Sequence, residues 1–334
     1  MLNAIYYSAL AFALIMILTP VIIKMTVKSG FTAKPRIDRW HQKETALLGG
    51  LGIFIAFIVP SFIFALQTGQ NKALLFCLAL IFLLGLVDDL FKISARAKLI
   101  GQILIAAIIV ILSVNFSAPI SLLVAIIMIL WIVGITNAFN LIDNMDGLSA
   151  GIAALTSLFL LIINFHFNQI NPFIINAIFL STMIGFLFYN SNPAKIFMGD
   201  AGSLFIGFYL ATAAISAINQ TNETPLKMLF VALLIFLIPL LDMTFVVVMR
   251  KLNHQKISVG GRDHTSHRLA VITKSEKKPV LLLDLLSILG GATAVSLFRQ
   301  NMIFFWGGVF LLIFFIAYLI YKITKVQVYP PTKN

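Results

Sequence analysis

The chain has 334 residues, of which 60% are hydrophobic and only 11% charged, and its formal net charge is +12. A soluble domain carries roughly 25% charged residues, so this chain cannot shield its apolar surface by folding alone, and a bilayer must act as part of its solvent. The basic surplus is confined to short stretches between apolar runs, which speaks against a nucleic-acid-binding face and for membrane orientation and contact with anionic headgroups.

A membrane-spanning helix needs ~20 mainly apolar residues. Eleven such runs are predicted, at 5–23, 46–67, 73–87, 99–114, 119–136, 147–165, 172–189, 202–219, 228–249, 279–298 and 302–321. The first has no basic segment ahead of it and reads as a retained span, not a cleaved leader. The third holds the single cysteine, Cys77, in a packing role, and it and the fourth are short. The expected fold class is all-α: one polytopic membrane helix bundle over residues 1–334, forming a single integral-membrane domain. Alternate connections fall on opposite sides. Those at 24–45, 88–98, 137–146, 190–201 and 250–278, with the tail after 321, hold 21 of the 24 basic residues. The opposite side has only Lys72, Lys227 and Arg299. The positive-inside rule makes the basic side cytosolic, the N-terminus external and the C-terminus cytosolic. Nine of the twelve acids share that side, whereas Asp242 and Asp284 lie within spans. Ion transporters more often carry carboxylates near mid-membrane.

Four constellations stand out along the basic side. Gly85-Leu-Val-Asp88-Asp89 ends the third span, and two adjacent carboxylates call for a cation, either Mg2+ or Lys92, Arg96 and Lys98; a solvated helix end is the plain alternative. Next comes Asn137-Ala-Phe-Asn140-Leu-Ile-Asp143-Asn-Met-Asp146-Gly147. A helix here puts Asn137, Asn140, Asp143 and Asp146 in one row, a set of oxygens suited to a hard cation or to a capped polar hairpin. The third, Asn190 to Ser203, is an irregular loop leading to a helix start at Asp200, which reads either as an N-cap or as a metal carboxylate beside small residues that admit a phosphate. It lacks the Gly-Lys-Ser/Thr of a P-loop. The fourth is Gly260-Gly261-Arg262-Asp263-His264-Thr265-Ser266-His267-Arg268. Two arginines and two histidines behind a glycine pair suit a diphosphate clamp; zinc held by His254, His264, His267 and Asp263 is a rival, as is a purely structural basic loop. The first basic loop, Lys34 to His41 leading to Gly49-Gly50, fits a phosphate or an anionic lipid surface equally.

In this order, Asp88-Asp89, the Asn140/Asp143/Asp146 row, Phe197-Met-Gly-Asp200 and the His264/His267 loop resemble the polyprenyl-phosphate N-acetylhexosamine-1-phosphate transferases, glycosyltransferase family 4, over about residues 34–270. The resemblance implies a reaction in which a UDP-amino-sugar gives its sugar 1-phosphate to undecaprenyl or another polyprenyl phosphate and releases UMP, starting a lipid-linked envelope polysaccharide. It implies Mg2+, with Mn2+ as a substitute, on Asn140 and Asp200. It puts Phe197 on the uracil, Asn190 and Met145 around that pocket, and Lys98, Arg262 and Arg268 at the diphosphate. Asp88, Asp89, Asp143, Asp146, His264 and His267 are the implied catalytic set, with direct attack ranked above a covalent aspartyl-phosphate. The His264–Arg268 loop is similar to the branch that transfers GlcNAc 1-phosphate and lacks the triple-histidine run of the pentapeptide translocases. The chain departs from the family pattern at Ala46, where a proline is expected. A homodimer in a bacterial inner membrane is compatible with all of this. The second reading is a transporter or flippase of lipid-linked or nucleotide sugars.

Overall fold

The computed structural model describes residues 2–33, 44–69, 72–113, 120–219, 223–256, 261–299 and 301–328. The first basic loop from Lys34 to His41 and Gly260 lie outside them. The chain is an all-α bundle: α1 (Leu2–Lys28), α2 (Gly49–Thr68), α3 (Lys72–Phe91), α4 (Ala95–Ser113), α5 (Ile120–Ile142), α6 (Leu148–His166), α7 (Ile170–Asn190), α8 (Gly199–Asn219), α9 (Pro225–Ile235), α10 (Leu237–Leu252), α11 (Thr265–Thr273), α12 (Lys277–Phe298) and α13 (Met302–Thr324). Ten of these are long and apolar enough to cross a membrane, and eleven spans result if α9 and α10 are counted as one bent span. The chain is thus a multi-pass membrane protein.

The predicted ninth span is the one that departs from a straight rod. Its two halves, α9 and α10, meet at 77°. Pro239 lies in the first turn of α10 and has no N–H for the carbonyl of Ile235, so the ladder breaks there. The short third and fourth runs grow in the structure. Helices α3 and α4 have 20 and 19 residues, and they take in Asp88, Asp89 and Lys98, which the sequence placed in a connecting loop. Asn140 likewise lies in the last turn of α5, and Asp200 in the first turn of α8. The polar groups stand on the ends of the spanning helices, because helix ends must expose unpaired N–H and C=O groups that polar side chains can satisfy.

Helix α8 occupies the middle, flanked by α2, α3, α5 and α6. It is the least apolar of the spans, with mean hydropathy 1.3, yet 83% of its apolar window is buried. The small residues Ala201, Gly202, Ser203, Gly207, Ala211 and Ala214 let neighbouring backbones come close. By contrast α1 and α13 turn most of their apolar surface outward, with 28% and 22% buried, as lipid-facing helices do. One short antiparallel pair, β1 (Thr32–Ala33) with β2 (Thr45–Ala46), was not foreseen. Ala46 also bridges Ile196 in parallel, which ties the base of the first basic loop to the start of α8.

Candidate functional site

The site begins where α3 meets α8. Asp89 reaches across to the start of α8, its Oδ1 accepting from the backbone N–H of Asp200 at 2.8 Å and its Oδ2 from that of Ala201 at 2.9 Å. A carboxylate on one helix thus caps another, the arrangement that free N–H groups and the helix dipole favour. The sequence allowed Asp200 to be its own cap; instead its backbone is capped and its side chain is released. Gly199 opens the helix with φ +68°, and a Cβ there would fall 2.6 Å from Asp89 Oδ2. Asp89 therefore holds the backbone of Asp200 in place with both of its carboxylate oxygens. Asp89→Ala is expected to cost about 1–2 kcal/mol of stability and to lower turnover, with Asp89→Asn milder because its Oδ1 still accepts. Thermal melts and initial rates check this; equal loss in both variants would contradict a capping role.

Asp88, one residue earlier, points elsewhere. Its Oδ2 lies 2.9 Å from Lys98 Nζ. The same ammonium donates to Asn140 Oδ1 at 3.3 Å and to Asp200 Oδ2. The amide of Asn140 is oriented by its other end, where Nδ2 donates to Asp200 Oδ1 and to Ser203 Oγ, both at 2.8 Å. One turn deeper, Asn137 Nδ2 donates to Gln102 Oε1 at 2.6 Å. Lys98 and Gln102 on α4 and Asn137 and Asn140 on α5 so form a polar ladder ending at Asp200. The oxygens of Asp88, Asn140 and Asp200 converge on one positive charge. Neutral and anionic oxygens gathered in this way are the donor type that Mg2+ and Mn2+ prefer, so these residues fit a divalent ion.

The turn after α5 is bound to the loop before α8. Asp146 Oδ2 accepts from Asn192 Nδ2 at 3.1 Å and from the Ala194 N–H at 2.9 Å. Asn192 Nδ2 also reaches Glu276 Oε2 at 3.1 Å. Asn190 is buried, its Nδ2 on the Ile196 carbonyl at 2.8 Å. The Phe197 N–H donates to the Ala46 carbonyl and the Phe197 carbonyl accepts from Gly49, each at 2.9 Å. Asp143, Met145 and Phe197 are half-buried. Asp146 and Asn190 therefore shape the loop through backbone contacts, while Phe197 rides on a backbone pinned at both sides.

The loop carrying the histidines is anchored from α10. Asp242 is buried and takes three hydrogen bonds: from the Thr265 N–H at 2.8 Å, from Thr265 Oγ1 at 2.6 Å, and in its 2.8 Å pairing with His264 Nδ1. It caps α11 much as Asp89 caps α8, and it engages His264 at Nδ1, not at Nε2. Arg250 and Asp263 form a buried two-pronged pair, Nε to Oδ2 at 2.7 Å and Nη2 to Oδ1 at 2.8 Å. Ser266 Oγ donates to Asn144 Oδ1 at 2.6 Å, and His267 Nε2 pairs with the Asn144 carbonyl at 3.2 Å.

Two expectations change here. Arg268, expected at a diphosphate, is 1% exposed; it donates to the carbonyls of Asp263, Ile323 and Val326 and lies over the Phe245 ring. It braces α11 against the end of α13. The zinc alternative also fails to assemble, since His264, His267 and Asp263 each face a different partner, and among the described residues no three His, Cys, Asp or Glu gather around a point. Arg262 is the half-buried polar group of this loop, whereas His264 and His267 are 5% and 7% exposed.

His267 is held neutral. Burial first, and the charges of His264 and Arg262 after it, push it down to about 4, against the pull of the Asn144 carbonyl and Asp242. A histidine depressed in the fold takes its proton first in the unfolded chain. Stability is therefore full above the ordinary value of ~6.5 and falls as pH drops from there to about 4. Over that window the unmutated chain is expected to lose about 3 kcal/mol more than His267→Gln. Paired thermal melts between pH 7 and 4 measure the difference; superimposed curves would contradict it.

The sequence profile described as glycosyl transferase family 4 matches residues 72–218. The chain is 30% identical over 316 residues to a probable undecaprenyl-phosphate N-acetylglucosaminyl 1-phosphate transferase of Bacillus subtilis (strain 168), covering 91% of this chain and 87% of that protein. It is 31% identical over 316 residues to the phospho-N-acetylmuramoyl-pentapeptide-transferases of Staphylococcus aureus strains JH9 and Newman, covering 85% of this chain and 96% of theirs. The chain belongs to glycosyl transferase family 4. The family-4 profile runs from the start of α3 to the end of α8, and so contains Asp88, Asp89, Lys98, Asn140 and Asp200 but neither Asp242 nor His264.

Within this family-4 chain, sequence reasoning left two anchoring residues without a role. Asp242 carried a usable signal, since an acid inside an apolar span is costly and marks function by default. Asn144 carried none, because its part depends on α11 folding back onto the turn after α5. Asp284 of α12 lies against Gly151 in the first turn of α6.

Proposed function

We propose that the chain transfers N-acetylhexosamine 1-phosphate, with GlcNAc as the default sugar, from a UDP-sugar to undecaprenyl phosphate, releasing UMP. The observation that carries this reading is the convergence of Asp88, Asn140 and Asp200 on one cation at the ends of spanning helices, where a water-soluble donor can meet a lipid phosphate. Both groups of relatives are named as transferring an amino-sugar phosphate or its pentapeptide form. The lack of a triple-histidine run favours the GlcNAc type. Excess Lys and Arg on the same side supports a cytosolic site in a bacterial inner membrane, and the 334 residues are read as one domain.

In this proposal Asn140 and Asp200 would hold Mg2+ or Mn2+, which would neutralise charge building up on the diphosphate. The acceptor phosphate monoester has its second pKa near ~6 and is mostly a dianion at neutral pH, so little base catalysis is needed. An acceptor oxygen attacks the β-phosphorus, the bond from that phosphorus to the bridging oxygen breaks, and UMP leaves with the electron pair. Asp88 orients the acceptor and takes any residual proton; Lys98, Arg262 and His264 Nε2 face the phosphates. Phe197 stacks on the uracil beside Met145. Asp89, Asp143, Asp146, Asn190, Asp242, His267 and Arg268 position these groups.

A panel of UDP-GlcNAc, UDP-GalNAc and UDP-MurNAc-pentapeptide, each with undecaprenyl phosphate and Mg2+, tests the reading. UMP is expected with UDP-GlcNAc. UMP only with the pentapeptide donor would reassign the sugar, and none with any donor would favour the transporter alternative.

A further inference from the structure

Lys98 uses all three ammonium hydrogens on the oxygens that the proposal gives to the metal and acceptor. Its partners are Asp88 Oδ2, Asn140 Oδ1 and Asp200 Oδ2. The remaining Asp200 oxygen, Oδ1, already accepts from Asn140 Nδ2 at 2.8 Å. Asn140 has a single acceptor oxygen, and that oxygen faces the ammonium. The side chains of Lys98 and Asp88 are 14% and 12% exposed and that of Asp200 is 34% exposed, so water screens the Lys98–Asp88 side of the cluster less than the Asp200 side. A divalent ion on the same oxygens would repel the ammonium twice as strongly as another single charge would.

We infer that Lys98 is a tethered counter-ion that competes with the divalent cation for Asn140 and Asp200, and that cation entry turns its ammonium out towards the substrate phosphates. This rests on the metal assignment proposed above. A lysine suits the part, being a compact charge on a flexible four-carbon stem. The exchange also sets an order of events. Asp88, Asp89, Asp200 and Lys98 together leave two net negative charges, which repel both substrates. A divalent ion cancels them. The cation therefore enters before, or together with, the first phosphate.

The test uses the full chain in detergent with Mn2+ alone, titrated by electron paramagnetic resonance. Lys98→Met, which removes the charge but keeps most of the stem, is expected to bind Mn2+ at least about tenfold more tightly than the unmutated chain; equal or weaker binding would overturn the inference. A second reading needs no variant. Acylation of Lys98 by an amine-reactive ester, followed by mass spectrometry, is expected to rise several-fold when Mn2+ saturates the protein, and unchanged or reduced labelling would overturn it. Failure of both proteins to bind Mn2+ would overturn the metal assignment itself, and the inference with it.

Discussion

Asp200→Ala is expected to lower turnover about 100- to 1000-fold, the scale seen when one main electrostatic stabiliser of a transition state is removed. The change deletes one carboxylate from the cluster, strips Asn140 Nδ2 of one of its two acceptors and leaves Lys98 with two partners. It should nonetheless fold. Asp89 grips the backbone of residues 200 and 201, not the side chain of Asp200, so α8 keeps its cap. Rates and melting temperature measured together separate the two effects. Loss of rate with the melt within a few degrees of the unmutated chain is the expected pair. Near-normal activity at low Mg2+ would remove Asp200 from the metal assignment.

Gly85→Ala should be nearly as damaging for a different reason. A Cβ at residue 85 would sit 2.5 Å from the Asp200 carbonyl oxygen, 2.6 Å from Ala201 Cα and 2.7 Å from Ala201 N. All three are backbone atoms, so no side chain can swing aside. The end of α3 and the start of α8 must separate, and Asp89 then loses its hold on Asp200. Overpacking of this kind costs about 1–3 kcal/mol, and turnover should fall about 100-fold because the misplacement reaches Asp200, the proposed metal ligand. Gly134→Ala in α5 is the control: nothing lies within 4 Å of a Cβ there, and alanine is the better helix former. Similar melts for the two variants would show that α3 and α8 do not need this contact.

What could be read from the sequence divides along physical lines. Apolar run length located nearly every span, because that signal is local. The convergence of Asp88, Asn140 and Asp200 was legible as three acid- or amide-bearing segments on one side, and their resemblance to a family supplied the order. The division of labour inside Asp88-Asp89 was not legible. Adjacent residues on a helix point about 100° apart, so one turned to Lys98 and the other to α8, and only the packing of α3 on α8 decides which. Arg268 misled for a related reason. Arginine beside histidine reads as a phosphate clamp, but the end of α13, 55 residues away in sequence, supplies carbonyls that absorb it. The bend at Phe236 could have been inferred from Pro239; the apolar run masked it.

The reaction proposed for the chain is phosphosugar transfer, as distinct from transfer of the sugar alone. UDP-GlcNAc carrying 32P only on its β-phosphorus, incubated with the purified chain, undecaprenyl phosphate and Mg2+, tests this most directly. The label is expected in the lipid product, with unlabelled UMP in the aqueous phase. Label recovered in UDP, or intact labelled donor with no lipid product, would contradict the account.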